Sequence, residues 1–183
     1  MLTTTFRKVK EQRACEESYK KFAKHKGGVK TYGSDTPFTL LEVAEVLGLD
    51  DALWCLRATI EPSDKIARLF ACDCADHVLH FFEEKYPNDK RPRTAIEVAR
   101  RYANGEATIE ELSAASDGVW DAASDGVWAA TRAARDAAGA AARAAAEAAT
   151  WATSAAVWAV AGGGAAEREW QLQRFKELLD GIC

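Results

Sequence analysis

The chain has 183 residues, of which 48% are hydrophobic and 28% are charged, and its formal net charge is −4. This length and apolar content suffice for one well-packed core, so we expect a single all-helical domain over residues 1–183. Twelve glycines and four prolines exclude a low-complexity chain as a whole. No apolar run is long enough to span a bilayer, and a membrane partner is not expected.

Five cysteines stand at irregular spacings, at positions 15, 55, 72, 74 and 183. The N-terminus lacks the apolar segment typical of a secretory signal, which predicts a cytoplasmic protein with reduced thiols. Cys55 and Cys72 are expected to serve as small core residues.

The first segment, residues 1–35, is basic and carries a charge of +5, which leaves −9 for residues 36–183. Residues 6–26 predict one or two helices that end at Gly27-Gly28. A basic amphipathic helix can bind RNA, a membrane surface or an acidic partner. Interleaved glutamates favour a solvated helix face instead, which argues against direct nucleic-acid binding.

The helical core is expected over residues 36–107. Thr39 with Glu42 forms a predicted capping box, Asp50 and Asp51 open the next helix, and no strand pattern is visible. Further helices are predicted by their apolar spacing and breakers, and they cover residues 64–85, 94–104 and 165–180.

Residues 108–161 form an alanine-rich tract that begins at a second capping box, Thr108 with Glu111, and ends at Gly162-Gly163-Gly164. Alanine favours helices most strongly, so this tract predicts two or more long helices with a break near Gly126 or Gly139. The fold class is therefore all-α: sequential antiparallel helices, arranged as a bundle or a short solenoid-like stack.

The densest cluster of potential metal ligands lies on the 64–85 helix. Asp73, His77 and His80 are spaced i, i+4, i+7 on one helical face, a geometry that could hold zinc. The paired Cys-x-x-Cys and the His-Glu-x-x-His patterns are both missing, so ordinary surface contacts are the favoured interpretation and no cofactor is expected.

The alanine-rich tract repeats Ala-Ser-Asp-Gly-Val-Trp at residues 115–120 and 123–128. This repeat places carboxylates at i, i+4, i+8 beside two tryptophans. Acids next to exposed aromatic rings suit an arginine-rich protein partner, although a solvated face beside buried tryptophans is the alternative. The candidate partner-binding residues are Asp117, Asp121, Asp125, Trp120 and Trp128.

Several blocks together resemble the Imm-5-like group of immunity proteins, which is frequent in bacterial and phage genomes. They are residues 48–58 (GLDDALWCLRA), 68–75 (RLFACDCA), 91–93 (RPR) and 99–108 (ARRYANGEAT), followed by the alanine-tryptophan tract. The resemblance covers roughly residues 40–161, and Trp54-Cys55-Leu56-Arg57-Ala58 is its most specific part.

The resemblance implies a helical, non-catalytic protein that neutralises an effector by binding it. The effector would be a toxin or, for phage-borne relatives, a host defence nuclease, as with anti-CRISPR proteins. A metal-dependent enzyme centred on residues 72–80 and a nucleic-acid-binding module using the basic segment are the alternatives. Homo-oligomerisation stays open, because alanine-rich helices pack equally well within and between chains.

Overall fold

The computed structural model describes residues 1–124 and 165–181, and these residues confirm the all-α prediction. None of the described helices is both long and apolar enough to cross a bilayer. The helices are α1 Phe6–Glu11, α2 Glu16–His25, α3 Val29–Tyr32, α4 Leu40–Val46, α5 Leu49–Cys55, α6 Asp64–Lys85, α7 Arg91–Ala103, α8 Ile109–Ser124 and α9 Ala165–Asp180, with a 3-10 turn at Leu56–Ala58.

The predicted break near Gly126 or Gly139 lies outside the described residues, and so does most of the alanine-rich tract. The bounds predicted for α6 and α9 are confirmed at both ends. The α7 helix begins three residues earlier than predicted, with Pro92 in its first turn, where a missing N–H costs no helical hydrogen bond.

Two short strands correct the expectation that no strand would be present. Strand β1, Thr3–Thr4, pairs antiparallel with β2, Phe38–Thr39, in the register Thr3 to Thr39 and Thr4 to Phe38. A strand of two residues is too short to show the alternating pattern that predicts strands. These strands are therefore recognised only by their pairing with each other.

The chain divides into two compact units. The first unit comprises Met1–Ser63 and Glu169–Cys183, and the second unit comprises Asp64–Arg168. The expected single domain stays a prediction.

The first unit contains a cluster of buried aromatic rings from α1, α2 and β2. Phe6, Phe22 and Phe38 are each less than 5% exposed. Their ring centroids lie 4.7 to 6.0 Å apart in tilted arrangements, the range in which aromatic pairs attract beyond their buried area.

The core of the second unit lies between α6, α7 and α8. Cys72, Ala75, Leu79 and Phe82 face it from α6 at helical spacing, and Ile96, Ala99 and Leu112 face it from α7 and α8. Phe81 of the same helix is apolar, yet 60% of it is exposed. The apolar residues of α6 therefore extend around more of the helix than α7 and α8 cover.

Both predicted capping boxes are confirmed. The Glu42 amide donates to Thr39 Oγ1 at 3.1 Å while the Thr39 amide donates to Glu42 Oε2 at 2.9 Å. The Glu111 amide donates to Thr108 Oγ1 at 3.2 Å while the Thr108 amide donates to Glu111 Oε2 at 2.7 Å. Each box pairs two amides that the first turn of the helix leaves without partners.

Replacing Thr39 by alanine removes the side-chain acceptor at the start of α4, so we expect Thr39→Ala to lower the free energy of unfolding by about 1 kcal/mol. Urea denaturation followed by circular dichroism measures the change. Thr31→Ala, at an exposed position on α3, is the matched control and should change it by less than about 0.5 kcal/mol. Equal losses for the two variants would contradict the role of the cap.

Candidate protein-binding surface

The three candidate metal ligands on α6 do not form a common site among the described residues. Asp73 is buried, and its Oδ1 accepts a hydrogen bond from Arg100 Nη1. His77 Nε2 lies 3.1 Å from Glu167 Oε2. His80 Nδ1 lies 3.0 Å from the His77 carbonyl, and its ring centroid lies 4.0 Å from that of Phe81. The described part of the chain contains no group of three or more side chains able to hold a metal ion.

Asp73 and Arg100 begin a row of ion pairs that joins α6 to α7. Arg100 Nη2 also donates to Asp76 Oδ2 at 3.2 Å. Arg93 then bridges two turns of α6, with Nη1 3.8 Å from Asp76 Oδ1 and two bonds of 2.6 Å to the Glu83 carboxylate. Acids at successive positions along α6 pair with arginines at decreasing positions on α7, so these pairs favour the observed antiparallel register.

The two hydrogen bonds from Arg93 to Glu83 form a bidentate contact, the geometry in which a guanidinium binds a carboxylate most strongly. Its hydrogen bonds to Glu83 lower the pKa of that carboxyl. Arg68 of α6 also lies over the Tyr102 ring of α7, with 5.3 Å from its guanidinium carbon to the ring centroid. Three sequence blocks that carried the resemblance, residues 68–75, 91–93 and 99–108, are therefore brought together by these contacts.

The buried thiols are packed as core residues. Burial raises the pKa of Cys55 and of Cys72 to about 12, and it also raises the pKa of Cys74. Such thiols stay protonated at neutral pH and do not act as nucleophiles. The prediction that Cys55 and Cys72 are small core residues is confirmed.

Cys15 differs from these thiols, since it is exposed at the N-cap of α2. The backbone at the start of α2, at Ser18 and then at Glu17, lowers the pKa of the Cys15 thiol. A helix N-terminus stabilises the thiolate in this way.

The predicted acidic stripe begins on α8. Asp117 is exposed there, and Trp120 and Asp121 belong to the same helix. Asp125 and Trp128 lie outside the described residues. Because residues four apart share a helical face, the α8 backbone places Asp117 and Asp121 one turn from each other.

The exposed surface of α8 continues toward its N-terminus, which the sequence had not indicated. We name Ile109, Glu110, Ser113, Ala114 and Asp117 the α8 acidic face. All five are exposed, and Ile109 is 45% exposed despite its apolar side chain. The signal in the sequence that could have indicated this exposed face was the capping box. It directs Glu111 toward Thr108 and Arg101.

An open groove of about 890 Å³ borders this face. Ala114 and Ala115 line it from α8, and Thr94 lines it from α7. Arg91 also lines it from α7, and the other described lining residues belong to the segment that joins α6 to α7: Tyr86, Pro87, Asn88, Asp89 and Lys90. An acidic helical face beside a concave groove offers a partner both charge and shape complementarity.

Removing the Arg100 side chain leaves the buried Asp73 carboxylate without that ion pair. We expect Arg100→Ala to lower the free energy of unfolding by about 2–3 kcal/mol, less than for a fully buried pair because Arg100 is about a third exposed. Guanidinium denaturation measures it. Arg101→Ala removes an exposed pair with Glu111 and should cost under about 1 kcal/mol. Equal losses for the two variants would contradict the buried-pair assignment.

Alkylation of the native protein should modify Cys15 faster than the three buried thiols. Because the backbone at the start of α2 lowers the pKa of Cys15, its alkylation rate should reach half-maximum at a lower pH than that of a free thiol. Peptide mapping by mass spectrometry after iodoacetamide treatment measures this. Cys55, Cys72 and Cys74 should react only after denaturation, and their modification at the Cys15 rate would show that they are accessible.

Comparison with known proteins agrees with the resemblance and moves its boundaries. The model of the family described as Imm-5 like putative immunity protein matches residues 58–178. Only Ala58 of the Trp54-Cys55-Leu56-Arg57-Ala58 block lies within that range, so the block expected to be most specific falls almost wholly outside it. No curated protein and no solved structure matches the chain. The match covers about two thirds of the chain, and the protein belongs to the Imm-5 like immunity protein family.

Proposed function

We propose that the protein is a non-catalytic inhibitor that binds an effector protein and neutralises it. Membership of an immunity protein family is the observation that carries this proposal. The effector would be a toxin or a defence nuclease, and phage anti-defence of the anti-CRISPR type falls under the same mechanism.

Among the described residues of the second unit, Asp73, Cys72 and Cys74 could have carried chemistry, and they are engaged in packing. Asp73 pairs with Arg100, and burial raises the pKa of the Cys72 and Cys74 thiols. These contacts hold α6 against α7 and support a binding scaffold over a metal-dependent enzyme.

The α8 acidic face supplies the contact with the effector. Glu110 and Asp117 are exposed carboxylates, and Asp121 follows Asp117 by one turn. Carboxylates resemble phosphates in charge and in their acceptor oxygens, so they pair with the arginines and lysines of a nuclease substrate path. Ile109 adds exposed apolar area at the edge of the same face.

A titration of effector activity tests the proposal. The effector encoded beside this gene is assayed with increasing amounts of the purified protein, together with a panel of toxins and defence nucleases. Activity should fall linearly and vanish near one equivalent, with a complex of defined mass on light scattering. Full activity of every effector at excess protein, without complex formation, would overturn the proposal.

Charge reversal on the α8 acidic face should weaken the complex. We expect Asp117→Arg to reduce affinity for the effector at least tenfold, or about 1.4 kcal/mol, because it places a cation against a basic path. Isothermal titration calorimetry measures the change. Glu84→Arg, an exposed reversal on α6, is the matched control and should leave affinity within about twofold. Unchanged affinity of Asp117→Arg would remove α8 from the interface.

A further inference from the structure

The first unit contains a cavity of about 240 Å³ between α1, α2, α4 and α5. Phe6, Phe22 and Phe38 line it and are almost fully buried. Tyr19 and Trp54 also line it and are half-buried. The cavity therefore reaches the aromatic core of the unit.

The size of the cavity restricts its occupant. An apolar cavity of roughly 150 Å³ holds one benzene molecule, whereas pockets for drug-sized ligands occupy about 300–1,000 Å³. A volume of about 240 Å³ lies between these limits. It fits one large aromatic side chain inserted from outside.

The lining residues that the structure describes carry negative charge and no positive charge. Asp50 and Asp51 are the charged residues among them. Both lie in the first turn of α5, where Asp50 is exposed and Asp51 is half-exposed. Arg57 lies over the Trp54 ring, with its guanidinium carbon 5.0 Å from the centroid, but it does not line the cavity.

We propose that this cavity anchors a single aromatic side chain of the effector whose neighbours in sequence are lysine or arginine. The ring enters among the apolar lining residues, and the flanking cations pair with Asp50 and Asp51. A buried aromatic anchor surrounded by complementary charge is the arrangement typical of binding hot spots. This inference rests on the proposed function for the identity of the partner.

The described lining residues all lie between Phe6 and Cys55, ahead of the region that the family model matches, residues 58–178. The anchoring pocket is therefore outside the family-matched region. The pocket supplies a second contact with the partner. This contact comes from a part of the chain that precedes the ion-paired helices α6 and α7.

Three tripeptides test the pocket on the full-length protein. They are acetylated and amidated Lys-Trp-Lys, Glu-Trp-Glu and Lys-Ala-Lys. Nitrogen-15 NMR spectra should show shifts confined to the amides of residues 6–22, 38–47 and 50–55 with Lys-Trp-Lys, with a Kd of about 1–10 mM as expected for one buried ring. The other two peptides should bind at least fivefold more weakly.

The double variant Asp50→Asn/Asp51→Asn should weaken Lys-Trp-Lys binding at least threefold. Glu16→Gln/Glu17→Gln removes an equal charge from the first turn of α2, outside the lining, and should leave it unchanged. No binding of Lys-Trp-Lys, equal binding of the three peptides, or equal effects of the two double variants would each overturn the inference.

The effector titration separates this inference from the proposed function. Failure of the peptides together with stoichiometric inhibition of an effector would overturn the pocket and keep the inhibitor. If the peptide binds but no effector is inhibited, the apolar, acidic pocket is supported and the proposed inhibitor function is overturned.

Discussion

A buried carboxylate on one helix, paired with a guanidinium on the next, is the constraint on which the second unit depends. Asp73 is only 6% exposed, so its charge needs a partner inside the fold. Arg100 meets it, and the pairs of Asp76 and Glu83 with Arg93 continue the row toward the loop. Such a row specifies register more than stability, because desolvation offsets much of the attraction between buried charges. The apolar core between Leu79, Phe82 and Ile96 then supplies most of the favourable free energy.

Different parts of the second unit pack against each other and face solvent. The residue blocks 68–75, 91–93 and 99–108 join α6 to α7, whereas the first turns of α8 expose carboxylates and one isoleucine. The protein thus presents a charged surface on α8 and keeps the thiols of Cys55, Cys72 and Cys74 protonated in its core. Those properties suit the proposed inhibition by occupation of a partner's surface, for which we propose the acidic face and the aromatic cavity as the two contacts.

Local chemistry explains which parts of the fold were predictable from the sequence. The bounds of α6 and both capping boxes follow from breakers and from contacts three residues apart. The β1–β2 ladder depends on residues more than thirty positions apart, and no local pattern encodes it. Asp73 was grouped with His77 and His80 by helical spacing, because its true partner lies 27 residues away and on another helix. The apolar side chain of Phe81 does not indicate which neighbours cover it, and 60% of it is exposed.

Hydrogen–deuterium exchange of the protein, alone and with an effector identified by the activity titration, tests the central claim most directly. The account predicts that the effector slows exchange in peptides covering α8, residues 109–124. It also predicts little change in the paired segments 73–83 and 93–100, which are protected in both states. Unchanged exchange over α8, with new protection centred on the α6–α7 pairs, would contradict the claim that those pairs are scaffold and α8 is the binding surface.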